Sequence, residues 1–269
     1  MLFQGRLSSY SMLVVSLLVI VGCVGNAPGD PSMDGEPRAS LDINTLGEGT
    51  EIRSAGLRLM ESPLGLIELR NGDQANDSVL VIAVHGYQSR GYEWITGIKN
   101  LADHYGSLFF YRYDWDRCPD QVAQHLASQI NAMVKTGSYR RVLIFGHSYG
   151  GIVVMYAASE FAGFDTEIHI IAAPLSGFPG LLDQCGSLQY DTDDKLVYPK
   201  WKRSVQVIQH KTVHAQDGAF RELAINPQDI DLDFKYIQEL PPTMDGHRLG
   251  HNWSVSWVLD QHVGKPHRY

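Results

Sequence analysis

One serine stands at the end of an apolar run, between two glycines. Residues 141–145 are mostly apolar, Gly-His-Ser-Tyr-Gly occupies 146–150, and a further apolar segment follows at 152–158. The pattern predicts a strand, a sharp turn and a helix, with Ser148 exposed at the turn. Glycines at this spacing allow the tight turn and a closely packed helix. Ser148 is therefore predicted to be a nucleophile that a base can activate. The N–H of Tyr149 is predicted to bind the oxyanion of an attacked carbonyl.

A second turn that could take part in this chemistry follows an earlier strand. Residues 78–84 form a continuous apolar run, which is typical of a strand buried on both faces of a parallel sheet. His-Gly-Tyr-Gln follows at 85–88. The N–H of Tyr87 is predicted to be the second oxyanion donor, with the N–H of Gln88 as the alternative. His85 is interpreted as a histidine that braces this turn.

Two glycine turns that each follow an apolar strand resemble the α/β-hydrolase fold superfamily, and within it the lipase and carboxylesterase branch. The segment Phe-Phe-Tyr-Arg-Tyr-Asp-Trp at 109–115 is similar to a segment of several lipase-like members. The resemblance extends over about residues 57–263. It implies an α/β fold with a mostly parallel, doubly wound sheet and helices on both faces. It also implies a triad in the order serine, acid, histidine along the chain, with no cofactor and no metal.

The acid of such a triad should follow a strand that lies beyond Ser148. Residues 204–213 predict a strand, and Asp217 lies just past it, before a glycine, where a turn would suit a carboxylate. Asp217 is therefore the predicted acid. Four other aspartates remain as alternatives in a segment that is typical of a loop: Asp183, Asp191, Asp193 and Asp194.

The base should be a histidine that follows the last strand, which is predicted at 234–240. Two histidines, His247 and His251, lie in this part of the chain. His251 is preferred because its Gly-His-Asn context resembles the base loop of many family members, and because a helix is predicted to follow at 253–259. His247 remains the alternative.

These residues predict acyl-ester hydrolysis by nucleophilic catalysis. His251 would take the proton of Ser148 and pass it to the leaving group, while Asp217 would orient the imidazole. A carboxylesterase or lipase is the predicted enzyme. The alternatives are a thioesterase, an acyltransferase or an amidase with the same triad, or a non-catalytic lipoprotein that acts as a binding or scaffold module. His210 and His214 have the spacing of a metal pair on a helix, but they lie at a predicted strand end, so no metal site is predicted.

The N-terminal segment predicts export and a lipid anchor. A basic residue precedes an apolar core that is too short for a membrane span, so residues 1–22 are predicted to be a signal peptide. Ile-Val-Gly-Cys at 20–23 resembles the lipobox of bacterial lipoproteins. That resemblance implies lipidation of Cys23 and anchoring in the bacterial cell envelope, facing an extracytoplasmic compartment. Valine rather than aspartate follows Cys23, which favours the outer membrane. A plain signal peptide is the alternative.

The rest of the chain predicts a tether and a single domain. Small and polar residues dominate 23–45, which is typical of a flexible tether. Residues 46–269 are sufficient for one α/β-hydrolase domain with a full core. Within it, 175–201 carries several large apolar side chains and predicts either a cap over Ser148 or a long surface loop.

Cysteines and charge bear on the compartment and the partners. Cys118 and Cys185 fall in predicted loops, and after export they would meet an oxidising compartment, so they are interpreted as a disulfide or as two free thiols. The net charge of −8 and the lack of basic runs argue against nucleic acid. The expected partners are a small-molecule or lipid acyl ester and the membrane.

Overall fold

A computed structural model describes residues 39–72, 78–177 and 185–265. These residues belong to one compact unit, Arg38–Tyr269. The predicted signal peptide, Cys23 and most of the predicted tether lie outside the described residues.

In the part of the chain that the structure describes, eight strands form the main sheet. They are β1 (Ser40–Asp42), β2 (Gly65–Arg70), β3 (Val79–Val84), β4 (Leu108–Arg112), β5 (Arg141–His147), β6 (Asp165–Ile171), β7 (Val205–Lys211) and β8 (Tyr236–Glu239). Their order is β1-β2-β4-β3-β5-β6-β7-β8, and every neighbouring pair is parallel except β2 with β4. The short strands β9 (Thr243–Met244) and β10 (His247–Arg248) pair antiparallel outside this sheet.

Among the described residues, five α-helices cover the two faces of the sheet. They are α1 (Ile52–Met60), α2 (Tyr92–Ala102), α3 (Pro119–Thr136), α4 (Tyr149–Ala157) and α5 (Gly250–His262). Helices α3 and α4 pack together with one buried apolar cluster, whereas α1, α2 and α5 belong to a second. In the described ranges, no helix combines the length and apolar character needed to cross a bilayer.

Strand β3 shows how the sequence divides the two cores. Successive side chains of a strand point to opposite faces. Leu80 and Ile82 accordingly contact the α3–α4 cluster, while Val81 and Ala83 contact the other. A central strand with helices on both sides must be apolar at every position, which explains the unbroken apolar run. The prediction of a mostly parallel α/β sheet with helices on both faces is confirmed.

Two predicted boundaries are wrong. The tether was predicted to extend through residue 45, but β1 pairs with β2 and Ile43 is only 1% exposed, so the folded domain includes residues 40–45. A strand of three residues has too little pattern to stand out in a polar segment. The closing helix was predicted at 253–259, but α5 begins at Gly250 and therefore contains His251.

The described parts of the predicted cap segment, 175–177 and 185–201, pack against α4. The rings of Tyr198 and Tyr156 lie 4.9 Å apart, and the hydroxyl of Tyr198 donates to the carbonyl of Leu175 over 2.9 Å. Cys185 is joined by a disulfide to Cys118, with 5.5 Å between the Cα atoms. The bond connects this segment to the start of α3, where Cys118 precedes the first helical residue.

Candidate active site

Ser148 occupies the turn between β5 and α4. Its backbone has φ +53° and ψ −124°, a conformation that non-glycine residues rarely adopt. Two hydrogen bonds of 2.9 Å hold it: the N–H of Ser148 donates to the carbonyl of Ile171, and the N–H of Gly151 donates to the carbonyl of Ser148. The turn therefore has the strained strand–helix geometry that the motif predicts.

The glycines after Ser148 allow α4 to approach the sheet closely. A Cβ on Gly150 would lie 2.3 Å from the carbonyl oxygen of His85, and a Cβ on Gly151 would lie 2.5 Å from the Cβ of Ala173. Neither position has space for a side chain. The glycines of the motif are thus required by the close packing of α4 against the ends of β3 and β6.

Asp217 and His251 form a hydrogen-bonded pair. Oδ2 of Asp217 lies 3.0 Å from Nδ1 of His251 and also accepts from the hydroxyl of Thr212, while Oδ1 accepts from the N–H of Ala219 over 2.8 Å. Asp217 is fully buried. Burial alone would raise the pKa of its carboxyl, but the bonds from His251, Thr212 and Ala219 outweigh that effect and lower the pKa. Asp217 is therefore a charged acceptor at neutral pH.

The charge on Asp217 decides the tautomer of His251. A carboxylate can only accept, so Nδ1 of His251 carries the hydrogen and Nε2 is left to accept a proton. The carbonyl of His251 accepts from Nε2 of His147 over 3.1 Å and from the hydroxyl of Ser254. Burial lowers the pKa of His147 well below its usual range, so His147 is a neutral donor here.

The alternative acids and bases lie elsewhere. Asp191, Asp193 and Asp194 are exposed, whereas Asp183 falls outside the described residues. His247 is exposed on β10, and Asp217 is paired with His251.

Ser148 and His251 line one cavity of about 290 Å³. The turn at 85–88 forms its wall beside the serine: a Cβ on Gly86 would lie 2.9 Å from the Cβ of Ser148 and 3.4 Å from its Oγ. Tyr87 and Gln88 both line the cavity, so both predicted donors of this turn are near the serine. No described residue of 175–201 lines it.

Tyr149 is the first residue of α4. The N–H of the first residue of a helix has no partner within that helix, so the N–H of Tyr149 is available to a ligand. The side chain of Tyr149 is buried, and its hydroxyl donates to the carbonyl of Arg117 over 2.7 Å.

His85 is fixed within the same turn. Its Nδ1 lies 2.8 Å from the carbonyl of Gly86, its Nε2 accepts from the N–H of Tyr113 over 3.3 Å, and its own carbonyl accepts from the hydroxyl of Tyr113. Burial lowers the pKa of His85 to about 3. It is thus a neutral side chain between β3 and the end of β4, as expected of a histidine that braces the turn.

Sequence reasoning missed four polar residues at the site, namely Thr212, Gln228, Glu93 and Ser89. The hydroxyl of Thr212 donates to Asp217, and its oxygen lies 3.1 Å from Oε1 of Gln228, which accepts from the N–H of Thr212 over 2.9 Å. Glu93 lines the cavity from the first turn of α2 and accepts from the hydroxyl of Ser89. Burial raises the pKa of Glu93, and the bond from Ser89 partly opposes that shift. The sequence signal for Glu93 is its place directly before the apolar Trp94 and Ile95, both of which are buried in the structure.

One group of described side chains has the geometry of a metal site. Ligand atoms of Glu167, His169 and His262 lie within 4.8 Å of one another. Glu167 is a carboxylate whose charge is balanced by its neighbours. The hydrogen bond from His169, with Arg141 and Lys235 nearby, lowers its pKa to about 2. The carboxylate of Glu167 is therefore accounted for by its contacts with Arg141, Lys235 and His169.

His210 and His214 contact different groups. Nε2 of His210 lies 2.9 Å from Nδ1 of His169, and Nε2 of His214 donates to the carbonyl of Phe220 over 2.8 Å.

The chain belongs to the alpha/beta hydrolase family. The profile of that family matches residues 81–251, which is more than half of the chain and extends from β3 to His251. We therefore describe the protein as a hydrolase of this family. A comparison with curated proteins gives no match.

Several solved structures are similar at low identity. The product of lin2722 from Listeria innocua has 13% identity and a TM-score of 0.48, over 72% of this chain and 95% of that one. XC6422 from Xanthomonas campestris, described as an a/b serine hydrolase without lid, has 16% identity and a TM-score of 0.44, over 76% and 89%. A lipase-esterase related protein from Clostridium acetobutylicum has 12% identity and a TM-score of 0.47, over 75% and 97%. Nothing about activity follows from similarities this weak.

Proposed function

We propose that the protein is a serine hydrolase that cleaves acyl esters with Ser148 as nucleophile, His251 as base and Asp217 as acid. The observation that carries the proposal is the position of His251. Its Nδ1 is bonded to a buried carboxylate, and its ring lines the cavity that also contains Ser148. A histidine held in this tautomer can accept a proton at Nε2.

The reaction has two halves. Nε2 of His251 takes the hydroxyl proton as Oγ of Ser148 bonds to the acyl carbon, and the resulting imidazolium gives that proton to the departing alcohol. Water then attacks the acyl-serine, with His251 again taking and returning a proton, so that the acid product leaves and Ser148 is restored. Asp217 keeps its charge throughout and stabilises the imidazolium.

Two backbone donors complete the proposed site. The N–H of Tyr149, at the start of α4, and that of Tyr87, in the turn beside Ser148, would bind the oxyanion of each tetrahedral intermediate. Each such donor contributes about 3 kcal/mol to lowering the barrier in measured cases. Thioesters and amides could use the same groups.

Two features favour catalysis over a binding or scaffold role. Ser148 holds a backbone conformation that costs about 1–3 kcal/mol, and hydrogen bonds from His251, Thr212 and Ala219 converge on the buried Asp217. A module without catalysis has no use for the strained serine or for a buried carboxylate directed at one histidine. Strain of this kind is concentrated at active sites.

A fluorophosphonate probe tests the proposal because it bonds only to an activated serine. We expect the purified wild type to be labelled, and labelling of Ser148→Ala and His251→Ala to fall to background. His247→Ala is the matched control, a nearby exposed histidine, and should be labelled like the wild type. A folded wild type that takes up no probe, or labelling that survives in Ser148→Ala, would contradict the proposal.

We also propose that Cys23 carries a lipid that anchors the enzyme in the envelope of a bacterium. The apolar segment and the lipobox-like residues at 20–23 support this placement. The disulfide between Cys118 and Cys185 is of a kind that persists in oxidising compartments.

Detergent partition of the full chain expressed in a bacterium tests the anchor. The wild type should enter the detergent phase and Cys23→Ser the aqueous phase, because acyl chains supply the membrane affinity. Equal partition of the two proteins would argue for a plain signal peptide.

A further inference from the structure

The cavity beside Ser148 is unusually polar for a ligand site. Ligand pockets are lined mainly by apolar and aromatic side chains. None of the described residues that line this cavity has an aliphatic side chain. Apart from the proposed catalytic groups, its wall includes the polar side chains of Gln88, Ser89, Arg90, Tyr92, Glu93 and Asn252. Such a wall is poorly matched to a long alkyl chain and well matched to groups that form hydrogen bonds.

Glu93 is the one buried carboxyl in this wall. Its residue is 2% exposed, and Oε1 accepts from the hydroxyl of Ser89. Oε2 is buried and has no hydrogen-bond partner among the described residues. A buried polar atom without a partner costs about 1–3 kcal/mol. A donor on a molecule in the cavity that reached Oε2 would remove that cost.

The surroundings of Glu93 indicate which group would bind. Burial raises the pKa of Glu93, and its free oxygen Oε2 can accept a hydrogen bond. Arg90 lines the same cavity and would repel a cationic substrate. A hydroxyl is neutral and can donate to that oxygen. The volume of about 290 Å³ is at the lower end for ligand pockets, so the molecule that carries the hydroxyl is small.

We propose that this polar cavity binds the hydroxylated alcohol part of a small ester, with Glu93 hydrogen-bonded to one of its hydroxyls. The substrate class is then a short-chain acyl ester of a polyol or sugar rather than of a long-chain lipid. This proposal rests on the proposed serine hydrolase activity. It adds a residue that determines the alcohol specificity of that reaction.

A matched pair of esters tests the proposal. 2,3-Dihydroxypropyl acetate and propyl acetate share the acyl group and a three-carbon alcohol, and they differ only in two hydroxyls. A site built to hydrogen-bond a hydroxyl discriminates strongly against the analogue that lacks it. We expect kcat/KM of the wild type to be at least about tenfold higher for the dihydroxy ester, which corresponds to about 1.4 kcal/mol.

Variants of Glu93 assign the preference. Glu93→Leu should reduce the ratio of the two kcat/KM values to near one, whereas Glu93→Gln, which keeps a donor and an acceptor, should retain most of it. Thr96→Val is the control on the same helix, because Thr96 does not line the cavity. Its ratio should equal that of the wild type.

The outcomes separate the two proposals. If the wild type hydrolyses propyl acetate as well as the dihydroxy ester, the polyol proposal is wrong while the hydrolase proposal stands. If the preference exists but a folded Glu93→Leu keeps it, Glu93 is not its source. If Glu93→Leu does not fold, Glu93→Ala takes its place in this comparison, and the ratio of the wild type still decides whether the cavity prefers the dihydroxy ester. A folded wild type that hydrolyses neither ester and takes up no fluorophosphonate overturns both proposals.

Discussion

Replacing Asp217 with asparagine is expected to lower kcat for ester hydrolysis by about 10,000-fold, the loss measured when the triad aspartate of a serine protease is changed in the same way. The geometry around this carboxyl gives the reason. Oδ1 faces the N–H of Ala219, and Oδ2 faces both Nδ1 of His251 and the hydroxyl of Thr212. An asparagine would keep its oxygen toward Ala219, since a backbone N–H cannot change roles.

The amide nitrogen would then face His251. Because that nitrogen only donates, Nδ1 of His251 would have to accept, and the ring would carry its hydrogen on Nε2. A ring in this tautomer cannot take the proton of Ser148. The hydroxyl of Thr212 can rotate to accept from the amide and donate to Gln228, so the fold should tolerate the change.

Steady-state kinetics with a short-chain ester provide the measurement, and urea unfolding provides the check on folding. Asp193→Asn is the matched control, because Asp193 is an exposed aspartate and was one of the alternatives for the acid. It should leave kcat unchanged. A loss of less than about tenfold in a folded Asp217→Asn would mean that another group orients His251.

The turn at Ser148 between β5 and α4 could be predicted because its signal is local. A strained turn beside closely packed backbone requires glycines at fixed positions. A Cβ added to Gly150 or to Gly151 would lie within 2.6 Å of an atom of a neighbouring residue. The apolar run of β3 is local for a similar reason, since a strand buried on both faces must be apolar throughout. Patterns of this kind are carried by neighbouring residues and need no knowledge of the fold.

The polar contacts around the site could not be predicted in this way. His85 and Tyr113 are in contact although 28 positions separate them in the sequence, and Thr212 and Gln228 are in contact across 16 positions. Which polar side chains pair across such separations depends on how the strand ends meet. Glu93 illustrates the difficulty, because only the fold places the first turn of α2 beside Ser148.

The local Gly-His-Asn context is enough to prefer His251 over His247, but the physical reason for the difference lies in the fold. Both follow the last strand of the main sheet, but the hairpin of β9 and β10 carries His247 on an exposed strand. Helix α5 starts at Gly250, earlier than predicted, and its first turn presents His251 to Asp217. A two-strand hairpin has too few residues to produce a recognisable pattern.

The second large effect expected is a steep loss of stability as the pH falls below 6.5. Burial is the main cause that lowers the pKa of His85 and of His210 to about 3, and it also lowers the pKa of His147. In the unfolded chain, these imidazoles take up protons near their ordinary pKa of about 6.5. Between pH 6.5 and pH 3, the unfolded state therefore binds more protons than the folded state.

Stability must then decrease with falling pH in this range, by about 1.4 kcal/mol per pH unit for each such proton. His85 and His210 together account for about 4 kcal/mol between pH 7 and pH 5, if their unfolded pKa is about 6.5. That is a large part of the 5–15 kcal/mol typical of a folded domain. Glu167 acts in the same direction at lower pH, since its pKa of about 2 means that its contribution is lost as the pH falls from about 4.5 toward 2.

Urea unfolding at pH 7, 6 and 5 measures this dependence. His210→Gln removes one proton-binding site from β7, which β5 and β6 separate from β3. The slope of its free energy of unfolding against pH should therefore be shallower than that of the wild type by about one proton. His104→Gln, at an exposed histidine, should keep the slope of the wild type. A free energy of unfolding that stays level from pH 7 to pH 5 would show that the buried imidazoles gain protons without unfolding. If the free energy of unfolding falls as expected, the burial that keeps His85 and His147 neutral beside Ser148 also sets the lowest pH at which the protein stays folded.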